Sequence, residues 1–402
     1  MDNRNQFLDD KLQQIAKEFE NLHLPDQPDY GLMGGLSGVM LFLFYYSDYK
    51  KSEIHRKQAE NYLEYIFTYI NQADDITISY AEGITGFLSV VLHLVHNGYI
   101  DIGSVEIDMT LEKKIYEVCK EGIANNEDDF FYGVGGLLSF LIDKYRFEKE
   151  LRIKRYISDI VRDLVAREGS GINVFSDYQH DIRHFEISMP HGYSSWIILL
   201  SQIFRQGIEE QHCVSSMNNL FRYYEPFLFA EKKGDSYFPE IINIETDITK
   251  PIHSRLGWCY GDIPCLLSLL SYADSIQNSK LVDVILKKFD IVSRRREPEQ
   301  NGIYDSCICH GSAGLGYIFN CLYHRYFHVS YKEAADFWYQ QTLALGHFED
   351  GYAGYKKRDW DDGQFMYSKE YGFLEGIAGI GMSILASQSE KYRRWGELLL
   401  IF

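Results

Sequence analysis

Two cysteines and one histidine have the side-chain types and the spacing of a zinc site. Cys309 and His310 are adjacent and directly precede a glycine. Cys259 lies 50 residues upstream and also stands just before a glycine. Two thiols and an imidazole are one short of the four protein ligands of a structural zinc, whereas a catalytic zinc keeps one position open. The sequence therefore predicts a zinc ion held by Cys259, Cys309 and His310 with one position open to substrate.

Further ionisable residues precede glycines in a similar way. Asp129 stands four residues before Gly133, and His191 directly precedes Gly192. A histidine in this place suits general acid–base catalysis, although a lone imidazole more often lies in a core or caps a helix. An aspartate before an apolar run can equally be a helix cap. The spacing alone leaves both interpretations of Asp129 open.

Arg255 and Tyr260 flank Cys259, but position alone assigns neither of them a role. Arg255 could be a solvated loop charge, and Tyr260 is one of 31 tyrosines. The remaining cysteines are interpreted as small buried hydrophobic residues. They are Cys119, Cys213, Cys265, Cys307 and Cys321.

The candidate residues lie within an internal repeat of glycine turns. Each copy has a glycine, two further residues and usually a second glycine, followed by an apolar run, and copies recur every 48 to 69 residues. A period near fifty residues indicates one supersecondary unit repeated along the chain. The seven copies begin at Gly35, Gly83, Gly133, Gly192, Gly261, Gly311 and Gly376.

Each repeat predicts an outer helix followed by an inner helix. The apolar runs after the glycines are typical of helices buried on every side, whereas the segments between copies have one charged face. We therefore predict an all-α fold, an α/α toroid of seven helical hairpins, as a single domain over 1–402. The predicted outer helices are 8–22, 53–70, 111–124, 149–166, 279–293, 331–345 and the tail 389–402.

Three longer stretches lack helical periodicity, and we expect them to form loops. They are 168–190, 232–256 and 348–372, and the β-branched and aromatic residues of 235–249 favour a small strand pair. All glycine turns of such a ring lie at one end. We therefore expect the residues before the glycines to converge on one mouth of the ring, with the loops as its walls.

Composition excludes several classes of function. A net charge of −18 disfavours nucleic acid and anionic membrane surfaces as partners. The longest apolar runs have about a dozen residues, too few to span a bilayer, and the acidic start of the chain does not resemble a signal peptide. Seven cysteines in 402 residues do not suggest a disulfide framework. We therefore expect a cytoplasmic protein whose thiols are available to metal.

The chain resembles the LanC-type lanthionine synthetases, the lantibiotic cyclases, over essentially its whole length. The resemblance rests on the seven glycine turns, on Trp258-Cys259-Tyr260-Gly261 and on Cys309-His310-Gly311. It implies an α/α toroid with zinc at its mouth. There are two departures, a serine at 195 in place of the second glycine and Pro264 in the fifth copy. Both concern helix packing, and the length of the chain resembles that of a stand-alone cyclase.

The resemblance also implies site residues, a reaction and partners. The zinc ligands would be Cys259, Cys309 and His310, and the catalytic residues would be His191, Asp129, Arg255 and Tyr260. A zinc-activated Cys of a dehydrated precursor peptide would add to dehydroalanine or dehydrobutyrine, which forms lanthionine or methyllanthionine. The implied partners are a separate dehydratase and a peptide exporter, with a cytoplasmic location that admits peripheral membrane association through a biosynthetic complex.

Three alternatives stay open at this point. Protein prenyltransferases activate a peptide thiol with zinc in a similar ring, but with an Asp, Cys and His ligand set. A LanC-like enzyme could instead add glutathione or another thiol to dehydrated proteins. The chain could also be a zinc-stabilised scaffold that binds a peptide, which a fourth protein ligand from Cys307, His253 or Glu375 would favour.

Overall fold

The computed structural model is mostly helical. It describes residues 3–22, 24, 27–73, 75–101, 109–169, 184–231, 234–243, 246, 250–361 and 363–402. Within this part of the chain the helices are α1 (Asn3–Glu20), α2 (Leu36–Lys50), α3 (Glu53–Gln72), α4 (Ile84–His96), α5 (Met109–Asn125), α6 (Val134–Glu148), α7 (Leu151–Gly169), α8 (Tyr193–Arg205), α9 (Glu210–Phe229), α10 (Asp262–Ser275), α11 (Ser279–Val292), α12 (Ser312–Tyr326), α13 (Val329–Leu345) and α14 (Ile377–Gln388).

The predicted alternation of exposed and buried helices is confirmed. Every even-numbered helix begins directly after a repeat glycine and is buried along most of its length. The odd-numbered helices α3, α5, α11 and α13 bury one stripe and expose the rest. The sequence prediction missed α9, which contains Pro226 near its C-terminal end, although its buried residues recur at three and four.

The chain divides into two compact units. The first unit consists of residues 1–101 and 296–402. In it α2 packs against α3, α4 and α14, while α12 packs against α13 and α14. In the second unit, residues 102–295, α8 packs against α6, α9 and α10, and α10 also packs against α11. A single domain over 1–402 stays a prediction.

Two short antiparallel strand pairs lie in the predicted loops. In the second unit β1 (His184–Glu186) pairs with β2 (Ile241–Asn243), so the strand predicted within 235–249 exists but its partner comes from the first loop. In the first unit β3 (Lys357–Asp361) and β4 (Gln364–Ser368) form a hairpin that the sequence prediction missed. Residues 170–183, which include most of the first predicted loop, lie outside the described residues.

The tail corrects one prediction, because it is not an α-helix. It forms two 3-10 helices, Glu390–Tyr392 and Arg394–Leu399. Trp395 is fully buried, stacks on Tyr317 with 3.8 Å between ring centroids and donates to the carbonyl of Met382 at 3.2 Å. Burial of this large side chain favours the 3-10 conformation over the α-helix that the local pattern of the tail predicts.

The repeat glycines are required by close approach of the backbone. A Cβ atom on Gly133 would lie 2.2 Å from the carbonyl oxygen of Glu127, since the preceding loop folds back over the helix start. The second glycine of the last copy is tighter still, because a Cβ on Gly379 would lie 1.8 Å from the carbonyl of Phe373. The absence of a side chain at each repeat glycine therefore allows the preceding loop, with its polar residues, to pack against the start of an inner helix.

We predict that Gly379→Ala destabilises the protein. Alanine normally favours a helix interior by about 0.5–1 kcal/mol, but here its methyl group would collide with a main-chain oxygen. Overpacking of this kind costs about 1–3 kcal/mol, and urea unfolding would measure it. Gly34→Ala is the matched control, since the nearest atom to its Cβ is 3.6 Å away. Equal stability of the two variants would contradict the close-approach explanation.

Candidate active site

Asp129 uses its two carboxylate oxygens for different tasks. Oδ1 accepts hydrogen bonds from the amides of Phe131 at 2.6 Å and Tyr132 at 2.8 Å, which shapes the turn before α6. Oδ2 lies 2.5 Å from Nδ1 of His191. Phe131 and Tyr132 precede α6, which begins at Val134, so Oδ1 orders the turn rather than capping the helix. Oδ2 pairs with His191, and a catalytic role for Asp129 stays a prediction.

His191 is held from several sides. Its amide donates to the Ser188 hydroxyl at 3.1 Å, and its ring meets the ring of Phe131 edge-on at 5.6 Å. Because the carboxylate of Asp129 only accepts when ionised, Nδ1 carries a proton and Nε2 is the nitrogen available for exchange with a substrate. The side chain is about one-third exposed, so the ring is held in place yet accessible.

The pKa of His191 is raised. Burial by itself lowers it, but the hydrogen bond and negative charge of Asp129, with a further contribution from Glu186, outweigh burial. The raised pKa increases the share of the imidazolium form, which is the form that can donate a proton.

Cys259 is positioned by the loop that precedes α10. Its carbonyl accepts from the amide of Met189 at 2.9 Å, which ties this loop to the turn that holds His191. The loop closes at Gly261, whose φ of +85° and close approach to the carbonyl of Arg255 require glycine. The thiol-bearing residue is only 3% exposed.

A buried ion pair stabilises the ends of the loop that carries Cys259. Asp262, fully buried at the start of α10, lies 2.9 Å from Nη1 of Arg295, and Nη2 of the same arginine donates to the carbonyl of Ser254 at 2.7 Å. The other carboxylate oxygen of Asp262 accepts the amides of Tyr237 and Phe238. Asp262 therefore joins the segment just before β2 to the loop that carries Cys259.

Tyr260 and Arg255 each pair with a glutamate that sequence reasoning did not identify. The Tyr260 hydroxyl donates to Glu186 at 2.6 Å, and Arg255 Nε donates to Glu240 at 3.2 Å. The Arg255 guanidinium also lies 5.7 Å from the centre of the Tyr260 ring. Burial, followed by the hydrogen bond to Glu186, raises the pKa of Tyr260. No motif marks either glutamate: Glu186 ends the short strand β1 and Glu240 directly precedes β2, both outside the glycine repeat.

Cys309 and His310 lie in the first unit, in the loop before α12. The amides of Ile308 and Cys309 both donate to the carbonyl of Leu374, at 2.9 and 3.2 Å. The amide of His310 donates to the sulfur of Cys307 at 3.4 Å. Cys309 is 8% exposed and His310 is half-buried. The two predicted ligands of this unit thus project from one short, internally bonded loop.

Cys307 belongs to a second group of possible metal ligands in this loop. The ligand atoms of Asp305, Cys307 and His310 lie within 4.8 Å of one another. Burial raises the pKa of the Cys307 thiol to about 12. The interpretation of Cys307 as a small buried residue agrees with its 1% exposure, and its closeness to His310 keeps it a candidate fourth ligand.

The structure thus gathers five of the predicted residues within the second unit and two within the first. Asp129, His191, Arg255, Cys259 and Tyr260 belong to the second unit, and Cys309 and His310 to the first. The other two candidate fourth ligands have partners of their own. His253 lies 2.9 Å from Asp235, and Glu375 accepts from Lys357 at 2.9 Å. The complete ligand set stays a prediction.

The helices also bear on membrane insertion. No helix in the described part of the chain combines the length and the apolar character needed to cross a bilayer.

The chain belongs to the lanthionine synthetase C-like family, whose model matches residues 26–400. The nisin biosynthesis protein NisC of Lactococcus lactis subsp. lactis is 24% identical over 400 residues, which cover 93% of this chain and 90% of that protein. A solved structure of nisin cyclase is 20% identical and aligns with a TM-score of 0.73 over 100% of this chain and 98% of its own. The predicted family and the predicted α/α-toroid fold class are thereby confirmed.

Proposed function

We propose that this chain is a stand-alone, zinc-dependent lanthionine synthetase. It would close thioether rings in a dehydrated precursor peptide by joining Cys thiolates to dehydroalanine or dehydrobutyrine. The observation that carries the proposal is the Asp129–His191 pair, 2.5 Å apart and tied to the Cys259 loop, in a chain of the LanC-like family.

The proposed ligands suit zinc by their chemistry. Cys259, Cys309 and His310 supply two thiols and one imidazole, the soft donors that zinc prefers, and they leave a fourth position for a substrate. When bound there, a zinc ion would lower the pKa of the substrate thiol, so that it reacts as a thiolate. A His-only ligand set would instead favour activation of water.

His191 supplies the proton that completes the reaction. As the thiolate sulfur bonds to Cβ of the dehydro residue, the electron pair of the double bond moves to Cα and the adjoining carbonyl, giving an enolate. Nε2 of the imidazolium then donates its proton to Cα. Asp129 keeps Nδ1 protonated and the ring oriented, and its charge stabilises the imidazolium.

Arg255 and Tyr260 would act beside this pair. In the proposal the Arg255 guanidinium, aligned by Glu240, anchors the enolate oxygen, because a cation stabilises the charge that develops there. Tyr260, held by Glu186, would hydrogen-bond near the metal. A separate dehydratase would supply the substrate, a peptide exporter would remove the product, and the cytoplasm is the proposed location.

Ring closure can be measured directly. Addition of a thiol to a double bond within one peptide leaves its mass unchanged but removes a free thiol. Purified protein is therefore incubated with a dehydrated, Cys-containing peptide, and the remaining thiols are counted by alkylation and mass spectrometry. We expect loss of thiols that depends on protein and is stopped by a zinc chelator. Unchanged thiols would overturn the proposal.

A second experiment distinguishes ring closure from the addition of a small thiol such as glutathione. The same dehydrated peptide, made without Cys, is incubated with glutathione, and the mass of the adduct is followed. Addition of glutathione at a rate above that of ring closure would favour the small-thiol alternative. Zinc binding with neither reaction would favour the scaffold.

A further inference from the structure

The β3–β4 hairpin of the first unit is attached directly to the loop of Cys309 and His310. The Asp305 carboxylate accepts the amide of Cys307 with one oxygen and the amide of Arg358 with the other, both at 3.0 Å. The neighbouring Lys357 lies 2.9 Å from Glu375, one residue beyond the Leu374 carbonyl that holds Cys309. Strand β3 is thus bonded through Arg358 to the loop of Cys309 and His310, and through Lys357 to the loop before α14 whose Leu374 carbonyl holds Cys309.

Arg358 has an unusual environment on this hairpin. Its guanidinium lies between two aromatic rings, 3.6 Å from the centre of Tyr304 and 3.4 Å from that of Phe365. Its Nη1 atom is buried without a hydrogen-bond partner among the described residues. Leaving a charged donor unpaired in this way is costly.

The acidic side chains described near Arg358 are engaged elsewhere. Asp305 accepts two backbone amides, and Asp359 accepts from Lys357 and from the Ser368 hydroxyl. Arg358 as a whole is only half-buried. The accessible part of its guanidinium, fixed in direction by the two rings, therefore presents a cation that complements an oxygen acceptor from another molecule.

The hairpin also exposes several large aromatic side chains. Trp360 is 64% exposed and Phe365 56%, and their rings meet edge-on at 4.6 Å. Met366 and Tyr367 on β4 are 45% and 41% exposed. Exposed apolar side chains grouped around a directed cation are typical of a peptide-binding surface.

We propose that this hairpin binds the dehydrated precursor peptide, with Arg358 donating to a carbonyl or carboxylate oxygen of the peptide and Trp360 and Phe365 contacting its apolar side chains. The inference rests on the proposed function and specifies where that substrate is gripped. Because β3 is bonded to the metal loop through Asp305, a peptide held there lies beside Cys309 and His310.

The test measures binding without chemistry. The probe is a fluorescein-labelled, dehydroalanine-containing peptide in which alanine replaces the reacting Cys, and fluorescence anisotropy gives its Kd for the full-length, zinc-loaded protein. We expect Arg358→Gln to raise Kd roughly tenfold or more, as loss of a charged hydrogen bond does. Arg56→Gln is the matched control, since Arg56 also lies over a ring but is paired with Glu60 at 2.6 Å.

Additional measurements show whether weaker binding comes from the lost cation rather than from lost metal or lost folding. Zinc content and thermal midpoint should match the wild type in both variants, and Arg358→Lys, which keeps the cation, should weaken binding less than Arg358→Gln. Weaker binding in high salt, or on replacing the acidic groups of the peptide by amides, would identify a carboxylate acceptor, whereas insensitivity to both would identify a carbonyl. A Kd for Arg358→Gln within twofold of the wild type, or no binding by the wild type, would overturn the inference.

The outcome is separable from that of the proposed function. If the wild type binds the probe through Arg358 but does not close rings in the matching Cys-containing peptide, the hairpin is a binding surface and the cyclase proposal fails. If ring closure proceeds with the same KM in Arg358→Gln, the cyclase proposal stands and the hairpin inference fails.

Discussion

Replacing His191 by asparagine should lower the rate of ring closure by about 10²–10⁴, the usual contribution of a positioned acid or base. Asparagine keeps a polar side chain beside Asp129 but has no proton to give at neutral pH. Because His191 is not a proposed metal ligand, zinc content should stay at the wild-type level. The measurements are the rate of thiol loss in a dehydrated peptide and metal analysis of the same preparation.

The control is a second histidine that also pairs with a carboxylate. His212 lies 2.8 Å from Glu209 at the start of α9 and is nearly half exposed. His212→Asn should close rings at the wild-type rate. A His191→Asn variant that is equally active would remove His191 as the acid, even if the family assignment stands.

Asp129→Asn tests the same pair through pH. The carboxylate of Asp129 is the main cause of the raised pKa of His191, against the lowering effect of burial. The imidazolium is present below this pKa and is lost as pH rises through it. Without the carboxylate the pKa should fall, so the loss of activity on the basic side should move to lower pH. An unshifted pH profile would show that the Asp129–His191 pair does not control the pH dependence of ring closure.

Replacing Cys309 by alanine should abolish zinc binding. The purified wild type is expected to contain about one zinc per chain. Removal of one of only three protein ligands should cost more than the roughly 10–100-fold in affinity that is lost when a residue hydrogen-bonded to a ligand is replaced. The substrate thiol would then keep its ordinary pKa, and ring closure should fall with the metal. Metal analysis after dialysis, and a titration with zinc, measure both effects.

Cys119→Ala is the matched control, because Cys119 is a fully buried thiol within α5 of the second unit. It should lose some stability but keep its zinc. Cys307→Ala adds a second comparison. Retention of zinc in this variant supports an open fourth position, whereas loss of zinc would make Cys307 a ligand and favour the scaffold. Zinc retained in Cys309→Ala would refute the proposed ligand set.

The helices and their order were predictable because their signals are local. Apolar residues spaced by three and four mark one face of a helix, and the glycine turns mark where each buried helix begins. The same locality made Cys259 and the Cys309-His310 pair recognisable, since each is part of a short motif. α9 has the same spacing but also contains Pro226, a residue that local rules place outside helix interiors.

The positions of the partner residues depended on tertiary structure. Glu186 meets Tyr260 across 74 residues of sequence, and Asp305 meets Arg358 across 53. The tail adopts 3-10 turns because Trp395 is anchored on Tyr317, and β2 pairs with a strand from another loop. Such contacts produce no periodic pattern in the sequence, because they form only when distant segments pack together. Local pattern thus decided the helices and the reactive motifs, and packing decided which carboxylates and rings surround them.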